Sequence, residues 1–288
     1  MKWERGRRSN NIEDERGQTP SRLSGGKLSL GGIALVVVFG LITKQDPLQI
    51  LGQVLGQLDA GGDGSTPTQP AKIDHSRDDF VSSILGDTED TWNALFQQIG
   101  KRYETPKLVL FAGGTQSGCG YASSAVGPFY CPANEKVYLD TSFFSEMKQR
   151  FSVAGDFAQA YVIAHEVGHH VQHQLGSDQL VAQAQRRGIP REGANGTSVR
   201  LELQADCLAG VWAHYSQSRH QWLDAADIES GMKAANAIGD DTLQRQSRGR
   251  VMPDAFTHGT ADQRMRWLKK GLDSGQIAQC DTFSASTL

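Results

Sequence analysis

Residues 156–175 read DFAQAYVIAHEVGHHVQHQL. Asp156 with Gln159 three residues on has the form of a capping box, and Gly176 follows Leu175 as a stop signal, so one helix is predicted over this stretch. Tyr161, Val162, Ile163 and Ala164 run straight into His165-Glu166-Val167-Gly168-His169, which makes the helix mostly buried. Residues four apart share a helical face, so the imidazoles of His165 and His169 can meet one metal ion. Glu166 is turned by about 100° from His165. It stands beside the ion rather than on it, where its carboxylate can take a proton from a water molecule that the ion acidifies. A pair of surface histidines would be the plainer reading, but the apolar run argues against exposure. Buried and unpaired imidazoles are costly, and a cation would satisfy them.

A catalytic metal needs a third protein ligand and an open position. An H-E-x-x-H-x-x-G-x-x-H extension fails, because Gln172 stands at the glycine position and Leu175 at the last histidine. The alternative is a carboxylate on a second helix, predicted over about 198–216. There Glu202 and Asp206 are again four apart, and the stripe continues through the small residues Ala209, Gly210 and Ala213. Glu202 is assigned as the third ligand. Asp206 is assigned as the acceptor that fixes a ligand imidazole through its other N–H. Flanking Leu201, Leu203, Leu208 and Trp212 leave little room for a solvated acidic pair. Cys207 lies off the stripe.

Around this pair the pattern is α+β, mainly helical with a small antiparallel sheet. A helix is expected over Thr88–Ile99, where Trp92, Leu95, Phe96 and Ile99 recur at helical spacing before Gly100. Lys107–Phe111 (KLVLF) reads as a strand, and Val126–Tyr130 with Lys136–Asp140 as a hairpin around Pro132-Ala133-Asn134. Further helices are expected over about 226–238 and from Thr260, which forms a capping box with Gln263, to about Leu272. The folded domain is placed at 75–288.

Ahead of it, residues 28–43 (LSLGGIALVVVFGLIT) are uncharged between Lys27 and Lys44. As a helix they span about 24 Å, short of the roughly 30 Å hydrocarbon core, but flanking lysines can snorkel. No A-x-A-like cleavage site comes after it, so the run is read as an uncleaved transmembrane signal anchor. Residues 1–27 hold seven Lys/Arg against four Asp/Glu, which makes them a cytoplasmic segment and exports the remainder of the chain. Residues 44–74, with DAGGDGSTPTQPAK at 59–72, form a flexible linker. A net charge of −3 argues against phosphate-driven nucleic-acid binding. In an exported domain four cysteines favour disulfides: Cys119 and Cys131 flank a glycine-rich loop as the local pair, leaving Cys207 with Cys280.

H-E-x-x-H followed by E-x-x-A-D resembles the gluzincin metallopeptidases. More closely, the chain is similar to a bacterial family of neutral zinc metallopeptidases. The resemblance is carried by WERGRRSNN at the start, DTEDTW at 87–92, GPFYCP at 127–132, residues 155–170 and 200–212, AIGDD at 237–241 and FTHGT at 256–260. It implies a zincin-like, membrane-associated peptidase with one Zn²⁺ per chain and a peptide or protein substrate. The catalytic domain would lie on the outer side of a bacterial inner membrane, beyond a single span. His258, with Arg264 further on, resembles the late histidine–arginine region of gluzincins, which implies an oxyanion donor, His258 first and Arg264 as alternative. His170, His173, His214 and His220 are read as structural or solvated. An extended substrate is expected to add beside a sheet edge, Lys136–Asp140. Two other functions fit the same residues: a membrane-tethered zinc-binding domain that binds envelope partners without catalysis, and hydrolysis of a non-protein amide.

Overall fold

The computed structural model describes residues 1–17 and 75–288. Its first half holds β1 (Ile12–Asp14), α1 (Asp78–Gln98), β2 (Lys107–Phe111), β3 (Gly114–Ser117), β4 (Gly120–Ser123), β5 (Phe129–Cys131) and β6 (Lys136–Asp140). The second half is helical: α2 (Ser142–Phe151), α3 (Asp156–Leu175), α4 (Ser177–Arg186), α5 (Thr197–His220), α6 (Ala225–Ala237), α7 (Asp240–Arg248) and α8 (Ala261–Ser274). The mixed α+β plan holds, with α1 beginning ten residues before its expected start. Phe80, Val81, Ile84 and Leu85 extend its buried face toward the N-terminus.

The sheet is not the antiparallel one expected. Four strands run in the order β1-β2-β6-β5, and only β5 and β6 are antiparallel. β1 pairs parallel with β2 (Ile12 opposite Leu108), and β2 parallel with β6 (Leu108 opposite Val137). Parallel neighbours require long crossovers, and α1 lies within the one joining β1 to β2. β3 and β4 form a separate antiparallel ribbon. Leu108, Leu110, Val137 and Leu139 face the main core, while Val109, Phe111, Tyr138 and Cys131 close a smaller one on the opposite face. A strand covered on both sides reads as the continuous apolar run seen in β2.

The larger correction concerns the N-terminus. Residues 1–17 belong to the same fold as residues 75–288. Ser9 N–H donates to the Ser82 carbonyl at 3.0 Å, and Glu15 N–H to that of Leu110 at 2.8 Å. Arg7 and Asn11 both reach the buried Glu89, at 2.7 and 2.8 Å. The segment lies so close to α1 that a Cβ on Gly86 would come within 2.7 Å of the Arg7 carbonyl oxygen. The expected anchor at 28–43 and linker at 44–74 lie outside the described residues. Among those described, no helix is long and apolar enough to cross a membrane.

α3 has the expected bounds, but its capping box does not form. Gly155 is the cap residue. Asp156 instead accepts from Arg77 (2.8 Å) and the Trp3 indole (3.1 Å), and Gln159 also binds Arg77. The Thr260–Gln263 box forms as expected. Both expected disulfides are present, Cys119–Cys131 and Cys207–Cys280.

Small residues set the helix spacings. Gly168 of α3 faces the Ala205 backbone of α5, whereas Gly210 of α5 faces α8. A Cβ at Gly271 of α8 would fall 1.9 Å from the Cys207 carbonyl oxygen. Gly271→Ala must therefore push α8 off α5. We expect a loss of about 3 kcal/mol, read by calorimetry as a Tm lowered by roughly 10 °C.

Candidate active site

Where α3 and α5 cross at Gly168 and Ala205, three side chains converge. The ring nitrogens of His165 and His169 and a carboxylate oxygen of Glu202 all lie within 4.8 Å of one another. His165 Nε2 is 3.2 Å from Glu202 Oε2, and His169 Nε2 is 3.6 Å from Oε1. Ligands about 2.1 Å from a tetrahedral ion stand about 3.4 Å apart, so the two histidine–glutamate separations match those around a Zn²⁺ ion.

Each histidine is held from behind. His165 Nδ1 meets Asp206 Oδ1 at 2.8 Å. Asp206 is fully buried and also accepts from Arg264 Nε (2.8 Å), Arg264 Nη2 (2.9 Å) and the Tyr161 hydroxyl (2.6 Å). Burial opposes its ionisation, but Arg264 and His165 hold the Asp206 carboxyl down at about 2. Burial likewise opposes charging His165, yet Asp206 and Glu202 on either side drive it up to about 10. The pocket thus calls for a positive charge between His165 and Glu202, which a proton or a cation can supply. Burial keeps His169 below its ordinary value, in the neutral form a metal needs. Its Nδ1 is 2.8 Å from Gln172 Oε1, a partner whose only mark in the sequence is that it breaks the longer histidine motif.

Glu166 is buried beside this group, and burial pushes its carboxyl up to about 7, against the lowering pull of His165 and of the Tyr130 backbone N–H. A carboxylate near neutrality can both accept and release a proton. His258 lines the same cleft. Its loop is pinned by Asp240 Oδ2, which accepts the backbone N–H groups of Thr257 (2.7 Å), His258 (2.7 Å) and Gly259 (3.0 Å). Arg264, the alternative donor, is engaged by Asp206, by Tyr161 (3.2 Å) and by the Ile238 carbonyl (3.4 Å). The remaining histidines have structural or surface partners: His75 pairs with Asp78, His170 bonds Tyr130 and Glu104, His173 pairs with Asp178, His214 with Leu272, and His220 with Asp87.

The cleft has a volume of about 520 Å³, with Phe129, Tyr130, Phe143 and Phe151 among its walls. The strand edge beside it is not Lys136–Asp140. β6 is paired on both sides, and the outer strand is β5 (Phe129–Cys131).

The helix carrying H-E-x-x-H is thus crossed by one that brings a carboxylate to the same point, a donor set able to hold a metal ion. The chain belongs to the family described as "Putative neutral zinc metallopeptidase", whose model matches residues 1–283. It is 47% identical over 294 aligned residues to Uncharacterized protein YpfJ of Escherichia coli (strain K12), covering 99% of this chain and 100% of that one. It is also 43% identical over 219 residues to Uncharacterized protein Rv2575 of Mycobacterium tuberculosis, covering 73% of each. No solved structure is a significant match.

Proposed function

We propose that the chain is a zinc-dependent peptidase with Glu166 as general base, one Zn²⁺ being held by His165, His169 and Glu202. The observation that supports this most is the convergence of those three donors beside a buried carboxylate poised near neutrality. Zn²⁺ there would polarise the scissile carbonyl and acidify a water molecule. Glu166 accepts the proton from that water and delivers it to the departing amine. His258, held by the Asp240-pinned loop, faces the cleft as donor to the developing oxyanion. An extended peptide would lie along the outer edge of β5, its side chains alternating between the cleft and solvent. Two disulfides favour a site of action outside the reducing cytoplasm.

The test is metal analysis with peptide-library cleavage on the full-length chain, with and without a chelator. The full chain is required because a start at residue 75 would strip β1 from the sheet. Expected are about one zinc per chain and cleavage that the chelator abolishes and Zn²⁺ restores. One zinc without cleavage of any peptide or unfolded protein would leave the non-catalytic zinc-binding domain. No bound zinc would overturn both.

A further inference from the structure

His165 and His169 are oriented by chemically different partners. Behind His165 stands a carboxylate, which can only accept, so Nδ1 carries the hydrogen and Nε2 presents its lone pair. Behind His169 stands an amide, which could face it either way. The direction is decided further along the chain of contacts.

Gln204 of α5 lies 3.0 Å from the Cys280 carbonyl oxygen. A carbonyl can only accept, so the amide nitrogen of Gln204 faces it and its Oε1 points the other way. That oxygen receives Gln172 Nε2 at 2.9 Å and the Ser177 hydroxyl at 3.0 Å. Gln172 Nε2 also donates to the Leu201 carbonyl at 2.7 Å, so two acceptors fix its orientation. Its Oε1 is then left for His169 Nδ1. Gln172 is buried and every polar atom of its amide has a partner, so a flip would set oxygen against oxygen twice.

We infer that Gln172 and Gln204 are positioning residues for His169: an amide relay, polarised from the Cys280 carbonyl, that fixes the Nδ1–H tautomer and turns Nε2 toward the cation. The inference rests on the metal-site reading above. The carbonyl at the head of the relay is tied in place, since Cys280 is bonded to Cys207 of α5 and the nearby Thr282 hydroxyl donates to the Arg200 carbonyl at 2.6 Å. A ligand on α3 is thereby oriented by a backbone group more than a hundred residues later in the chain.

The test is zinc affinity, measured by chelator competition on full-length wild type, Gln172→Leu, Gln204→Leu and the double variant, at a temperature where circular dichroism shows each folded. Gln172→Leu should bind zinc 10- to 100-fold more weakly. Gln204→Leu, which touches no ligand, should lose roughly tenfold. If the two act in series, the double variant should lose less than the product of the single losses. The visible spectrum of the cobalt-substituted protein should shift in both single variants, which mere loss of stability would not produce. Wild-type affinity in either single variant, strictly multiplicative losses, or full rescue by Gln172→Glu would overturn the relay alone. Wild type that binds no zinc would remove the metal site and the relay together.

Discussion

Glu166→Gln is expected to lower peptide turnover by about 10³-fold while zinc content stays at the wild-type level. The amide is isosteric and can still accept the Tyr130 backbone N–H, so packing at this buried position is preserved. It cannot take up a proton near neutrality. Glu166 is absent from the convergent donor set, so metal retention should be indifferent to the change. Steady-state kinetics on a cleaved peptide, paired with metal analysis of the same sample, checks both halves. Undiminished turnover would remove Glu166 from the reaction, and lost zinc would make it a ligand instead.

Asp206→Ala should have the largest effect on the folded state. It removes the carboxylate that holds Arg264, whose side chain is only 3% exposed. The guanidinium would then be left inside the protein against only neutral partners, Tyr161, the Ile238 carbonyl and, at 3.5 Å, His165 Nδ1. Removing one partner of a buried ion pair costs about 3–5 kcal/mol, which in a chain of this size lowers Tm by roughly 10 °C or more. His165 would lose the acceptor at Nδ1 as well, so zinc should bind roughly 10- to 100-fold more weakly. Asp206→Ala with Arg264→Leu should recover much of the stability but not the affinity, because only the first defect is a stranded charge. Calorimetry of the metal-free proteins and chelator competition separate the two. Equal recovery of both would show that Asp206 serves the fold alone.

The convergent group is readable because each half obeys helix geometry by itself. His165 with His169, and Glu202 with Asp206, are each four apart on apolar helices, and both pairs meet in space. The disulfide pairing comes from the local position of Cys119 and Cys131. The features that escape reading depend on contacts between distant segments. β1 is three residues, Ile-Glu-Asp, with no periodicity to mark it, and its partner lies almost a hundred residues on. Parallel pairing of β2 with β6 makes an apparent edge strand internal. Asp156 and Gln159 match a capping box, yet Arg77 offers both a stronger partner. Gln172 carries no signal of its own, because its meaning comes from carbonyls at positions 201 and 280.

The place of β1 in the sheet bears on how the chain can be sorted in the cell. Two strands joined by a shared ladder cannot have a lipid bilayer between them. Arg16 pairs with Asp78, so the chain departs after Gly17 and returns at His75 on the same flank of the domain. Residues 1–17 and 75–288 must therefore share one compartment wherever the folded chain resides.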